Sequence, residues 1–276
     1  MNPAKTILIT GCSSGIGLCC ALGLRERGYR VFATARRPED VEKLRAEGFE
    51  AFRLDLADSA SIQEAVDRVL EGSGGQLYAL FNNGAYGQVG ALEDLSREAL
   101  REQFETNLFG THELTCRVIP VMRRQGYGRI VQNSSVLGFV ALAYRGAYNA
   151  SKYALEGWSD TLRLELAGSG VYVSLIEPGP ILSRFRDNSL AAYRKHVVAE
   201  QSVHRDRYRA AEQRLQKQGA AMPFTLGPEA VLRKLIHALE AKRPKARYGV
   251  TVPTHLLRGL KRILPDSALD WVLRKV

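Results

Sequence analysis

The sequence predicts an α/β protein: one domain built on a doubly wound parallel sheet. Three observations predict it. Short β-rich runs alternate with longer helical stretches, the first strand-to-helix junction carries a glycine-rich turn, and 276 residues suit one large domain better than two small ones.

The elements follow in order. Strands are expected at Thr6–Thr10, Arg30–Thr34, Glu50–Leu54, Ala79–Asn82, Arg129–Asn133 and Val171–Glu177. Between the first two, Ile16–Arg27 has helical spacing, and Gly28 stands as its stop. Pro38–Glu47 opens with Pro-Glu-Asp, a favourable first turn. Ser59–Leu70 is the third helix, capped by Asp58 or Ser59. Alternation on this scale means βαβ units with helices on both faces, a Rossmann-like arrangement. After Glu177 the pattern changes. Arg184–Gln218 is polar, Arg-rich and helical, unlike core, and reads as a substrate lid over approximately 184–224. Further helices are expected from Pro228 toward Lys242, at Thr254–Leu264 and at Ser267–Val276, so one domain spans 1–276, with C-terminal helices over 228–276. The stripe Leu256, Leu257, Leu260, Ile263 and Leu264, flanked by Arg258, Lys261 and Arg262, either packs on the body, roofs the substrate pocket or lies in a membrane interface.

Composition sets bounds. Apolar residues make up 45% and charged residues 25%, as in an ordinary globular protein. No apolar run approaches the ~20 residues of a bilayer span, and Met1 to Lys5 lead into an apolar stretch too short for a secretory signal, so a cytoplasmic address is the default. Cys12, Cys19, Cys20 and Cys116 form no C-x-x-C pair, and the histidines lack ligand spacing, so neither a metal nor a disulfide framework is expected. The net charge of +10 is spread along the chain without a nucleic-acid motif; it suits an anionic dinucleotide or an acidic membrane surface better than nucleic acid.

The chemistry-bearing motifs begin at the first strand. Thr10-Gly11-Cys12-Ser13-Ser14-Gly15-Ile16-Gly17 joins a strand to a helix N-terminus. Gly11 permits the tight turn, Gly15 lets a pyrophosphate approach the backbone, and Gly17 lets helix pack on strand. The second strand ends Thr34-Ala35-Arg36-Arg37, with no acid before the basic pair. An acid there would bind ribose hydroxyls, whereas a guanidinium takes a 2′-phosphate, so NADP is the expected cofactor. The alternative is a solvated surface pair. Tyr148 and Lys152 lie one helical turn apart in Tyr148-Asn-Ala-Ser-Lys152. An ammonium held beside a phenol favours phenolate and brings the group toward acid/base use. Ser135 follows a strand and can donate to an oxygen gaining charge. Asn107 is a polar residue in an apolar helical stretch, either functional or a satisfied helix Asn.

Over almost its whole length the chain resembles the short-chain dehydrogenase/reductase family. The matches are Thr10-Gly-x-x-x-Gly-Ile-Gly17, Asp55, Asn82-Asn83, Asn107, Ser135, Tyr148-x-x-x-Lys152 and Pro178-Gly179. Flanking residues resemble the branch of 17β-hydroxysteroid dehydrogenases, retinol dehydrogenases and bacterial NADP-dependent aldehyde reductases. The resemblance implies a Tyr148 proton donor, a Ser135 that holds the carbonyl oxygen, a Lys152 that binds nicotinamide ribose and lowers the tyrosine's pKa, and an Asn107 relay water. It implies cofactor contacts at Asp55-Leu56, Asn82, Pro178-Gly179, Ile181 and Ser183, and a homo-oligomer. The implied activity is NADP(H)-dependent hydride transfer on a hydrophobic carbonyl or alcohol, foremost aldehyde reduction. Steroid or retinol dehydrogenation is the alternative, and a non-catalytic dinucleotide sensor a remoter one. Two positions depart from the family pattern. Asn82-Asn83-Gly84-Ala85 replaces Asn-Asn-Ala-Gly, which costs ~1 kcal/mol if the fourth position needs a positive φ. Ser183 replaces a threonine and keeps the hydroxyl.

Overall fold

The computed structural model describes residues 5–217, 219–220 and 222–275. Strand β1 (Thr6–Ile9) leads to helix α1 (Gly15–Glu26), β2 (Arg30–Ala35), α2 (Pro38–Ala46), β3 (Glu50–Arg53), α3 (Ser59–Gly72) and β4 (Ala79–Asn82). Next come α4 (Arg97–Phe104), α5 (Gly110–Gln125), β5 (Gly128–Asn133), α6 (Gly146–Glu165) and β6 (Val171–Glu177). The chain then runs through α7 (Phe185–His196), α8 (Arg205–Gln216), α9 (Glu229–Glu240), β7 (Arg247–Gly249), α10 (Val252–Ile263) and α11 (Asp266–Leu273).

The strands form one parallel sheet in the order β3-β2-β1-β4-β5-β6-β7, a single Rossmann-like domain. Central strands are apolar on both faces because helices cover both; β1 and β4 are buried along their whole length. On one face α1 and α9 pack over β1, β2 and β4, with Leu24, Val231 and Leu235 fully buried. On the other, α3 and α5 supply Ile62, Val69, Leu114 and Met122. Chain order reverses between β1 and β4, which opens a crevice at their carboxyl ends.

All six expected strands are present, with ends shifted by a residue at most. Asp58, not Ser59, caps α3, accepting from the backbone of Ala60 and Ser61 at 3.1 and 3.3 Å. β7 was not expected, because three residues cannot display a period.

The lid corrects the expectation that it lacks core. Its two helices, α7 and α8, bury Tyr193, Tyr208 and Leu215 against Val89 and Ala91 of the segment after β4. The Tyr208 hydroxyl donates to Asp94 at 2.5 Å and accepts from the Ala91 amide at 2.8 Å. A few aromatics on one stripe suffice, although the sequence around them is charged. The two ends of this excursion are tied together, because Leu182 donates to the Leu226 carbonyl and Leu226 to the Pro180 carbonyl.

The C-terminal stripe divides. Leu257 and Leu260 turn inward against Leu137, Val140 and Tyr148, while Leu256 and Ile263 face outward. Val276 and Met1 to Ala4 lie outside the described residues, as do Gln218 and Ala221 of the lid. No helix among the described residues is long and apolar enough to cross a membrane.

Candidate active site

The crevice at the β1/β4 reversal widens into a cleft of about 370 Å³. Gly11, Ser13, Ser14 and Ile16 line one end; Ser135, Tyr148 and Lys152 line it further along, and Pro178, Gly179, Ile181 and Ser183 border it on the β6 side. These residues, distant in sequence, meet because every one follows the carboxyl end of a strand or opens the next helix.

The phosphate loop has the shape its glycines imply. Gly11 and Gly15 take positive φ, 70° and 56°. A Cβ on Gly15 would stand 2.8 Å from the Ser183 side chain, so a side chain there would fill the cradle. Cys12, within this loop, is fully buried; its thiol donates to the Ile9 carbonyl, and burial pushes its pKa up to about 12. The departure at Asn82-Asn83-Gly84-Ala85 carries no strain: Ala85 is not among the residues of positive φ. Gly84 sits where a Cβ would press on Thr10 and Leu56.

The basic pair at the tip of β2 divides its work. Arg37 is held by Asp40 at 2.8 Å and by Glu39 at 3.4 Å, so α2's first-turn acids occupy it. Arg36 is exposed and lies near Tyr86, whose phenol burial pushes up to about 12 while the Arg36 charge offsets a little of that rise. Among the described residues, Arg36 has no acidic partner and is the cation of the pair left to a ligand. Asp55 follows β3, where its carboxylate accepts from the Ala57 amide, and Leu56 is buried beneath the loop.

Tyr148 is 7% exposed, its ring edge-on to Phe185 of the lid at 5.3 Å. Burial pushes the phenol up to about 12, while the Ser135 hydroxyl and the Arg145 guanidinium pull it down. Lys152 Nζ lies 5.8 Å from the Tyr148 ring centroid and donates to the Asn133 carbonyl at 2.7 Å. Burial holds that ammonium down to about 8. The expected depression of the tyrosine by the lysine is not seen: burial raises the phenol, and Ser135 and Arg145 offset that only in part. With its proton held firmly, the phenol is a donor rather than a phenolate at neutral pH.

Two expected residues stand elsewhere. Asn82 is 4% exposed and donates to Thr115 of α5, so its side chain faces the core rather than the cleft; Asn83 lines the cleft instead. Asn107 lies in a widened turn between α4 and α5. Its amide oxygen accepts from Tyr86 N, and its amide nitrogen donates to Tyr86 O at 3.0 Å and to Ser151 at 3.2 Å. Each of its two functional atoms thus has a partner within the protein, and the oxygen keeps one acceptor site.

Sequence reasoning missed two arginines at the cleft, which Leu257 of the stripe expected to pack on the body or roof the pocket also lines. Arg145 stands one turn before Tyr148, a spacing that could have revealed it. Arg214 comes from α8, and Leu257 from α10. Behind Lys152, Glu156 accepts from Ser134 and pairs with Arg247 at 3.0 Å. Buried Glu177 pairs with Arg247 at 3.4 Å and with Arg258 of α10.

The chain belongs to the short-chain dehydrogenase/reductase family: the model of the short chain dehydrogenase matches residues 5–194. It is an oxidoreductase of that family. It is 46% identical to YbbO, an uncharacterised oxidoreductase of Escherichia coli (strain K12), over 98% of this chain and 94% of that one. Human retinol dehydrogenase 8 is 32% identical over 96% of this chain and 87% of its own. Two solved structures share the fold at 26% and 27% identity. A dehydrogenase/reductase from Burkholderia phymatum in complex with NAD has a TM-score of 0.76, with 94% and 92% of the two chains covered. An actinorhodin polyketide ketoreductase with NADPH has 0.74, with 91% and 97% covered.

Proposed function

We propose that this protein is an NADP(H)-dependent carbonyl reductase for hydrophobic substrates, aldehydes foremost. The observation that carries the reading is Tyr148, protonated and walled by apolar groups, beside Ser135 in the cleft that begins at the phosphate loop. The residues fit a dinucleotide: the cradle at Gly15 has no room for a side chain, and among the described residues no Asp or Glu lines the cleft. Gly11, Ser13, Ser14 and Gly15 would hold the pyrophosphate, Lys152 the nicotinamide ribose, and Arg36 the 2′-phosphate. The cofactor, when bound, supplies hydride to the carbonyl carbon.

The chain's own residues do the rest. Ser135 positions the carbonyl oxygen and donates to it as charge develops. Tyr148 gives that oxygen its phenolic proton, leaving an alcohol. Lys152, with Glu156 one turn behind, keeps a cation near the phenolate left behind. Phe185, Leu137 and Leu257 exclude water from the reacting atoms. The likeness to retinol dehydrogenase 8 favours a second reading, oxidation or reduction of retinoids or steroids in the same cleft. A non-catalytic sensor predicts a lost Tyr or Lys, and both are present.

NADPH consumption measured against aldehydes, retinal and keto-steroids tests the reading. Tyr148→Phe is expected to bind NADPH nearly as wild type and to lose turnover by ~10²–10⁴-fold, the range of a general acid. Turnover at the wild-type rate in that variant would refute the role.

A further inference from the structure

The substrate end of the cleft holds an unsatisfied positive charge. Among the described residues, five cations line the cleft, namely Arg145, Lys152, Arg184, Arg186 and Arg214, and no carboxylate does. Three of these have partners. Lys152 donates to Asn133, Arg184 pairs with Asp187 at 3.6 Å, and Arg186 donates to the carbonyls of Lys217 and Gly219. Arg145 and Arg214 have no counter-charge among the described residues. The Arg214 guanidinium meets only the Met222 sulfur, at 2.9 Å, a weak acceptor. The two sense one another, and burial with Arg214 draws Arg145's pKa below its ordinary value, as expected of cations that share a pocket without an anion.

Arg145 is also misplaced for stability. It is the residue before α6, a helix of 20 residues, where Ser, Thr, Asp or Asn would cap the free amides, and it makes no capping bond. The positive end of the helix dipole and a half-buried guanidinium reinforce one another there. Such an arrangement costs the folded protein energy unless a ligand supplies negative charge. The dinucleotide's phosphates belong at the β1–α1 loop and the β2 tip, whereas Arg145 and Arg214 sit on the turn before Tyr148 and on the lid.

We propose that Arg145 and Arg214 form an anion subsite, and that the substrate is amphipathic: an apolar chain with a reducible carbonyl and a carboxylate or phosphate that this pair clasps. Guanidinium forks bind either group bidentately, and the partial burial of Arg145 strengthens the bond at its end of the site. The lid then closes over the substrate with one of its own helices holding the charge. This substrate class rests on the reductase reading above.

Two measurements separate the claims. In the first, kcat/KM with NADPH is compared between ω-oxo carboxylates and n-alkanals of matching chain length. The ratio of acid to neutral aldehyde cancels any effect of Arg145 on Tyr148 itself. Wild type is expected to favour the acid by ~10-fold or more, the equivalent of one charge-assisted bond at ~1.4 kcal/mol per decade. Arg145→Gln and Arg214→Gln should each reduce that preference, the double variant should abolish it, and Arg145→Lys should restore part of it. A ratio near one in wild type, or one untouched by the substitutions, overturns the proposal. In the second, calorimetry on the NADP-bound protein compares fatty acids, alkyl phosphates and the matching alcohols, with no turnover required. Tighter binding of the acids or phosphates, lost in the double variant, sustains the subsite even if no aldehyde is reduced, and the two anions' ranking separates carboxylate from phosphate. Equal binding of alcohol and anion overturns it.

Discussion

That Tyr148 and Lys152 share a helix face was legible from their spacing, since residues four apart lie one turn from each other. What the spacing could not convey was solvent access. Both groups are buried, so desolvation rather than mutual attraction governs them, pushing the phenol up and the ammonium down. The lysine's proton is consequently bound less tightly in the folded state than in the unfolded chain. The cost of burying the cation is present in full below about pH 8 and fades as pH climbs toward the ordinary value of 10.5. That cost is ~3 kcal/mol at most, at ~1.4 kcal/mol per unit, set against ~1 kcal/mol from the bond to Asn133. Lys152→Met should therefore abolish turnover yet stabilise the cofactor-free protein by ~1–2 kcal/mol at neutral pH. Thermal unfolding across the alkaline range would show the gain shrinking as pH rises; a gain that grows would contradict the sign. The tip of β2 gives a second contrast. Arg36→Ala should raise KM for NADPH by ~10-fold or more with little effect on NADH, whereas Arg37→Ala, whose guanidinium Asp40 already holds, should do less. Equal losses with both cofactors would remove Arg36 from the 2′-phosphate site.

Elements with a clear period and a strong start signal were read correctly, as in α2 with its Pro38 and α3 with its Asp58 cap. Failures came where tertiary packing overrides local pattern. β7 is specified by its pairing with β6, and the lid's core by aromatics that local hydropathy discounts. α10 was legible as an amphipathic helix, but not its ion pair: Arg258 reaches past the stripe to Glu177, which is 1% exposed at the end of β6. Its cation also lies 4.8 Å over the Phe139 ring. This contact fastens the roof of the cleft to the strand that carries Pro178 and Gly179. Arg258→Met should destabilise the protein by ~3 kcal/mol, because a buried carboxylate is left short of a partner. Urea unfolding would measure it, and a loss below ~0.5 kcal/mol would mean that Arg247 alone neutralises Glu177.

At the scale of the whole molecule, the position of the cleft was implicit in strand order, because a reversal between β1 and β4 leaves a crevice at their carboxyl ends whatever the side chains. The net charge of +10 sets a field around that crevice without a competing acid inside it. KM for NADPH should accordingly rise several-fold between ~0.01 and ~0.5 M salt, as screening shortens the reach of the field to a few ångströms. A flat salt response would assign the cations to local contacts alone. The stitching of Leu182 to Leu226 has a separate consequence. Because the two feet of the lid meet, the segment between them can be exchanged as a cassette, provided that it brings aromatics to face Val89 and Ala91. Grafting another reductase's segment between these feet would transplant substrate preference while the nucleotide machinery below went on unaltered, so the architecture invites diversification by exchange rather than by gradual repacking.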